Sequence, residues 1–492
     1  MKQSLLRALP FTLALCLTLA ACGAPAAESD TSTPTSETAE TPANPAAAAG
    51  NTSSTAIGAG EAHLLGETYG GGAAYALHIP DAASHGGSLL LRLDYATGQE
   101  TPYCTIPGCD HQSQVCGAWQ YFRLNQPLQL YPDGDRCYEL YRTGCTLYEN
   151  PEENPTDKAI AALGTDACLI VADGASRKLL ASFPDLPDGD SGLVRDLVAD
   201  DRNLYLLMEL RHDQTDHSDD ELRLLSVDQQ SGATAALRSW TAAELGQDIW
   251  NYSLVGARGR TLYLALSQVE NDPEQKDYGL VTGGRIDCFD LDTASWRTGL
   301  QWESEGFYTV GDGDSAYTGY ERTLVLPMQN PTAFVRQDFS AGALTAVDYE
   351  TGEEQLLCTG LPTRSPGEFL SYEITELPDW YVVRTSQGPW ESDTRESRLF
   401  LIPRAGGEAT EVTLQYYESA HGTQPIFIWD EWEGDFFCLY GYEETSFQDI
   451  NKDGSLYEGT RFQELEGLLT AEDLLASTPN YRPVTPWNEA AR

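Results

Sequence analysis

Positive charge is what this sequence has least of for its size. Its 492 residues carry 30 Lys and Arg against 75 Asp and Glu, a formal net charge of −45. Nucleic-acid binding depends on basic side chains that displace counterions from phosphates, so a polyanion partner is excluded. The same shortage excludes attachment to anionic lipid through basic patches. Long apolar runs are missing too. After residue 21 no 18 consecutive residues are apolar, so nothing there crosses a membrane as a helix. The seven histidines are scattered, at 63, 78, 85, 111, 212, 217 and 421, and offer no obvious cluster for acid–base chemistry. No Gly-rich phosphate loop or dinucleotide fingerprint follows a strand-like segment. These absences lean toward binding rather than catalysis.

What is present begins with an address. Lys2 and Arg7 form a short positive stretch, and residues 8 to 21 form an apolar run that ends in Leu19-Ala20-Ala21-Cys22-Gly23. This ending resembles the lipobox of bacterial lipoproteins. The resemblance implies cleavage before Cys22 and lipid on its thiol; the alternative is an ordinary secretory signal cleaved near the same alanines. Loss of residues 1–21 removes Lys2 and Arg7 and takes the net charge to −47. Residues 22–60 follow as Ala, Thr, Ser, Pro and Glu with hardly a large apolar side chain. Such a segment buries too little surface to offset its ordering entropy and is expected to be a disordered tether. Its root-mean-square reach is roughly 35 Å.

From residue 61 to 492 the composition is that of a globular all-β domain. Short alternating segments are broken by Gly, Asp, Asn and Pro. A strand–turn–strand unit recurs, as in LVADDRNLYLLMEL (197–210) and LVGARGRTLYLALS (254–267). A second hairpin follows each, its turn often marked by Asp then Gly, as in LRLLSVDQQSGATAAL and LTAVDYETGEEQLLC. Taking Tyr75, Tyr138, Tyr205, Tyr263, Leu324, Tyr381 and Phe437 as equivalent, the intervals are 63, 67, 58, 61, 57 and 56 residues. Seven units of that length predict a β-propeller of about seven four-stranded blades. Two tandem β-sandwiches would explain the strands but not the repeat. The fifth unit fits worst. The ending GLLTAEDLLASTPNYRPVTPW is expected to supply the last strands or wrap the ring, with one helical turn at TAEDLL.

Three features together resemble an uncharacterised family of propeller-type lipoproteins from gut-dwelling Gram-positive bacteria: the lipobox, CTIPGCDHQSQVC and LLTAEDLLASTPNYRPV. The resemblance implies a propeller anchored at the outer face of the cytoplasmic membrane. It implies no activity.

Several segments are candidate sites. Cys104, Cys109, His111 and Cys116 supply three thiols and an imidazole within thirteen residues, a donor set suited to a closed tetrahedral zinc site. Disulfides compete with that reading in an extracytoplasmic protein. Beyond Cys22 nine cysteines remain, at 104, 109, 116, 137, 145, 168, 288, 358 and 438, so they cannot all pair. Asp449, Asn451 and Asp453, with Glu458 within reach, resemble the first half of a calcium loop; an Asx turn between strands is the plainer account. Trp390, Trp429 and Trp432 sit beside carboxylates in turns and could stack on sugar faces, or pack between blades. The loop His212–Asp220 could chelate a metal or simply be solvated. Gly189-Asp190-Ser191-Gly192 resembles the nucleophile loop of serine proteases, but His421 lacks the matching context and a tight turn accounts for it.

The leading expectation is therefore a lipid-anchored propeller that binds a neutral or cationic ligand, a glycan or an envelope protein. An extracytoplasmic lyase or hydrolase with its site in the channel is the alternative, and an envelope scaffold or sensor a further one.

Overall fold

The computed structural model describes residues 60–487 apart from 79–87, 112–115, 121–122, 125–128, 142–144, 147–166, 184–191, 212–219, 246–251, 272–278, 312–316, 330, 391–394, 419–421 and 451–455. Cys22 and the tether, Asn451, Asp453, His421 and the His212–Asp220 loop up to Asp219 all lie outside the described residues, as does all of the Gly-Asp-Ser-Gly segment but Gly192. No helix among the described residues is long and apolar enough to cross a membrane.

Short alternating segments with both faces apolar can be satisfied only by packing on both sides, and a ring of sheets provides this. In the strand Asn203–Leu210 every residue is buried. Leu204, Leu206 and Met208 face one neighbouring sheet, while Tyr205 and Leu207 face the other. Seven sheets repeat this arrangement, antiparallel apart from Met328–Gln329, which pairs in parallel with Thr375–Glu376 in the sixth. Their second strands, counted outward from the channel, are Ala73–His78, Arg136–Tyr141, Asn203–Leu210, Thr261–Asn271, Phe334–Asp338, Trp380–Gly388 and Asp435–Ile450. The apolar clusters run round the ring in order. One joins blade 1 to 2 (Tyr75 with Cys137), and the next joins 2 to 3 (Leu140 with Leu204). Others join 3 to 4 (Leu224 with Leu264), 4 to 5 (Tyr263 with Phe334) and 5 to 6 (Leu344 with Tyr381). The last gathers blades 6, 7 and 1 through Leu401, Phe436 and Tyr95. That closes the circle at seven blades.

Six of the seven residues expected to be equivalent lie on second strands, and Leu324 does not. It belongs to the first strand of blade 5, Tyr317–Val325, and Val335 takes the equivalent place. An additional strand, Glu305–Val310, precedes that blade and pairs with its first strand, so Arg322 is flanked by Glu305 on one side and Asp338 on the other.

The Asp turns join third to fourth strands, and in that of blade 4 no Gly follows Asp290: Ala294 takes the left-handed conformation, at φ 52°. In blades 1 to 5 the carboxylates of Asp94, Asp173, Asp228, Asp290 and Asp348 each accept the backbone N–H of the Ser or Thr three residues on, at 2.7–3.0 Å. Each also accepts that residue's hydroxyl. A carboxylate that accepts several hydrogen bonds favours its charged form. Asp228 is accordingly held at about 2 by Ser231, Arg202 and Gln230; in Asp348, bonds from Thr351, Glu350 and Arg258 outweigh burial and also hold it at about 2.

Antiparallel order puts these turns, and those between first and second strands, on one face of the ring. The connections between second and third strands, and between blades, lie on the other. The chain arrives at the turn face: Arg260 donates to the carbonyl of Gly60 at 2.8 Å, and Ala62 N–H donates to Gly259 at 2.7 Å. His63–Leu64 then pairs with Val198–Ala199 on the channel side of blade 3.

The C-terminal segment shuts the ring. Leu456–Thr470 is followed by the helical turn Ala471–Leu475, capped by Thr470, whose hydroxyl accepts the Asp473 N–H. Arg482–Pro483 then becomes the outer strand of blade 7, paired with Gly467–Leu468. Thr485 crosses to blade 1, forming a parallel bridge with Gln99.

Candidate metal centre and binding cleft

Blade 1 has a divided outer strand, Gln99–Pro102 and Trp119–Gln120. The residues between carry the cysteine segment. Gly108 and His111 adopt left-handed backbone conformations, φ 70° and 58°, which fold the short segment back on itself. Cys104, Cys109, His111 and Cys116 thereby offer ligand atoms all within 4.8 Å of one another, and His111 Nδ1 lies 3.4 Å from Cys116 Sγ. Tetrahedral bonds of about 2.3 Å to sulfur and about 2.0 Å to nitrogen put ligand atoms roughly 3.5 Å apart, so the cluster could hold one metal ion. Backbone N–H groups already point at the sulfurs, those of Ile106 and Gly117 at Cys104 and that of Ala118 at Cys116. Burial raises the Cys104 thiol, but these donors outweigh it and hold the group below the usual thiol range. Cys116 is buried, and that burial, with the Cys104 charge beside it, pushes it up to about 12.

The three cysteines of this cluster are free thiols, as are Cys137, Cys288, Cys358 and Cys438. Cys137, Cys168, Cys288, Cys358 and Cys438 are buried in strands. The side chain of Cys145 lies outside the described residues.

The other expected residues are dispersed. Trp429 is buried in the core joining blades 6, 7 and 1, 4.9 Å from Phe437. Trp432 is 42% exposed and lies on the turn face, against Gly72, where any side chain would strike its ring. Trp390 lies on the opposite face, packed against Tyr317 at 4.8 Å and Phe369 at 5.1 Å. The three tryptophans form no common platform. Asp449 is in the ladder of a long hairpin, its backbone paired with Tyr457, and Gln448 pairs with Glu458.

A cleft that the sequence did not announce separates blades 4 and 5. It encloses about 760 Å³. Leu266, Leu300, Leu324 and Trp302 supply its apolar surface, and Gln268, Gln301, Thr323 and Thr345 its neutral polar groups. Arg285, Arg322 and Arg336 line it together with Glu303, Glu305 and Asp338, three charges of each sign in a strongly acidic protein. Arg322 is pinned by Asp338 at 2.6 Å, Arg336 by Glu354 at 2.5 Å, and Arg285 by Asp287 at 3.3 Å. Trp302 lies across Gly284, where a Cβ would come within 2.3 Å of its ring. Gln268, Glu303, Asp338 and Ala343 stand at or near strand ends on the loop face, so the cleft lies toward that face and away from where the chain arrives. Seven strands and the helical residue Leu245 contribute, and the Gly283-Gly284 pair inside the strand Gly279–Asp290 was the sole local signal.

No protein-family model and no curated protein matches the sequence. Among solved structures the chain is similar to an oligogalacturonate lyase in complex with manganese, at 13% identity and a TM-score of 0.33, over 68% of this chain and 77% of that one. It is similar to an acylaminoacyl peptidase of Pyrococcus horikoshii, at 11% identity and a TM-score of 0.37, over 83% of this chain and 57% of that one. The propeller domain of the trilobed protease of Pyrococcus furiosus matches at 12% identity and a TM-score of 0.29, over 73% and 97%. This chain spans little more than half of the peptidase. None of these likenesses carries an activity over.

Proposed function

We propose that the protein is a lipid-anchored, extracytoplasmic propeller that binds a neutral, hydroxyl-rich ligand of the glycan class in the cleft between blades 4 and 5. The observation that carries this reading is the cleft itself: about 760 Å³ of space with three arginines and three carboxylates in mutual balance beside amides, hydroxyls and one indole. Arginines already paired to carboxylates do not call for an anionic ligand. Their remaining N–H groups, with Gln268 and Gln301, suit the paired hydroxyls of a sugar, and Trp302 offers an aromatic wall for its apolar face. Anchoring through Cys22 on the outer face of the cytoplasmic membrane would bring the tether to the turn face and direct the cleft outward. Zinc is the ion that suits the Cys104–Cys109–His111–Cys116 set, because thiolate and imidazole donors without carboxylates match its softness. Four protein ligands leave no open position, so its role would be structural.

Binding of the full-length protein in detergent to an array of neutral and acidic glycans tests the ligand class. Expected is retention of a neutral saccharide, weakened about tenfold or more by Gln301→Ala. Uniform failure on neutral glycans overturns the reading. Cys22→Ser is expected to abolish fatty-acid labelling and release the protein from the membrane.

A further inference from the structure

We infer that the cysteine segment is a metal-dependent clasp for the ring: ion binding at Cys104, Cys109, His111 and Cys116 and docking of the C-terminal tail stabilise each other. This rests on the zinc reading given above.

The segment is wedged between a fixed neighbour and a detachable one. On its fixed side, Thr105 N–H donates to the carbonyl of Gly174 in blade 2 at 2.8 Å. Gly117 lies so close to Gly174 that an added Cβ would stand 2.1 Å from that carbonyl oxygen. Arg177 of the same blade donates to the Ala118 carbonyl, and its guanidinium is fully buried in an ion pair with Glu139 at 2.5 Å. Arg177 also reaches the Ser88 carbonyl at 2.9 Å, so blades 1 and 2 hold the base of the segment rigidly.

On the other side is the tail. Glu100 N–H donates to Thr485 at 2.9 Å, Thr485 N–H to Gly98 at 2.8 Å, and Trp487 N–H to the Glu100 carboxylate at 3.0 Å. The Trp487 ring then meets the His111 ring edge to face, with centroids 5.5 Å apart and planes at 84°. His111 is therefore both a candidate ligand and the group on which the tail rests. A bound ion fixes that imidazole in one orientation; without it, nothing covalent holds a segment whose cysteines are free thiols. The tail is the strap from blade 7 to blade 1, so fixing His111 favours the closed ring. By thermodynamic reciprocity, losing the Trp487 contact must weaken the ion by the same factor as losing the ion weakens the tail.

The test uses the full-length protein and Zn²⁺ alone. Zinc affinity is measured by competition with a chromophoric chelator for the natural protein, Trp487→Ala and Trp487→Phe. Expected is one zinc per chain, weakened roughly threefold to tenfold in Trp487→Ala and largely restored in Trp487→Phe, since an edge-to-face pair has that strength. Hydrogen exchange of the natural protein, with and without zinc, supplies the second measurement and needs no variant. Removing zinc should speed exchange at the Glu100, Thr485 and Trp487 amides by a similar factor and leave Tyr263 in blade 4 unchanged. Zinc bound equally well by Trp487→Ala, with metal-independent exchange at Thr485, overturns the clasp and spares the zinc site. Absence of bound zinc, with oxidised thiols, overturns both.

Discussion

The interface between blades 3 and 4 and the seam between blades 7 and 1 do the same job with different materials. The first is a dry stack of leucines, with Leu222, Leu224, Leu254, Leu262 and Leu264 buried around Tyr205. Its polar links include Arg260 to Asp200 at 3.0 Å, out at the turn, and the Leu254 N–H, which donates to the Asp196 carboxylate at 3.1 Å. The seam also buries aromatics, Tyr95 against Phe437 at 5.5 Å, but adds directed hydrogen bonds. Tyr95 donates to Asp430 at 2.8 Å, and Arg482 donates to the carbonyls of Ala96 and Tyr95 at 2.7 Å each and to Asp435 at 2.8 Å. Blades 3 and 4 are consecutive in the chain, so they are always near each other and non-directional burial is enough. Blades 7 and 1 meet across more than 300 residues, and fixing their register must be done by contacts that work at one alignment only.

That contrast can be broken from the strong side first. Leu264→Ala leaves a cavity in the 3–4 interface and should cost about 3 kcal/mol. The loss should appear as a lower denaturant midpoint with an unchanged m-value; a cost below about 1 kcal/mol would mean that this interface is not packed as described.

Next comes Asp430 at the seam, which burial pushes up to about 7. A carboxyl whose folded value lies above its unfolded one near 4 stabilises the fold fully below pH 4, and that contribution is lost as pH rises through about 7. Asp430→Asn should remove this slope, gaining on the order of 2 kcal/mol at pH 8 and nothing at pH 4. Parallel pH–stability curves for the two proteins would refute it. Arg482→Ala, which strips three hydrogen bonds from a half-exposed guanidinium, should cost about 1.5 kcal/mol. Its signature is faster hydrogen exchange at Thr485 with little change at Tyr263.

The smallest expected effect lies in the repeated turns. Asp348 titrates below its ordinary range, so its contribution is present above pH 4 and lost as pH falls through about 2, opposite in sign to Asp430. Asp348→Ala should cost about 1 kcal/mol at pH 7, by analogy with lost side-chain caps, and only a fraction of that at pH 2. An equal cost at both would show that the turn does not depend on the charge.

How much of this could be read from residues alone follows from where each signal is stored. Strand Asn203–Leu210 is apolar from Leu204 to Met208 because both its faces are covered, so repeated segments of that kind betray a ring before any contact is known. The Asp-then-Gly turns were legible because each is a local bond over three residues. Leu324 was assigned to the wrong strand because ERTLVLP carries the Leu-rich pattern, whereas the true second strand, FVRQD, carries charge at the cleft. The cysteine cluster was visible for the opposite reason, since its four donors lie within thirteen residues. The cleft had no such compactness: Gln268, Trp302, Arg322, Arg336 and Thr345 come from five strands, and only the ring brings them together. The seam was half legible, its final strand expected and its crossing to Gln99 not.

The attachment of His63–Leu64 has a mechanical consequence. A pull on the residues before Gly60 does not load the blades evenly. It falls first on the Arg260–Gly60 contact and the two-residue ladder with Val198–Ala199. Behind these, the next restraints are the Leu65 amide, bonded to Leu197, and Glu67, paired with Arg195. Under tension the chain would peel from the channel edge of blade 3 a few residues at a time, lengthening its own leash while the seven sheets stay intact. The N-terminal strand thus behaves as a mechanical fuse.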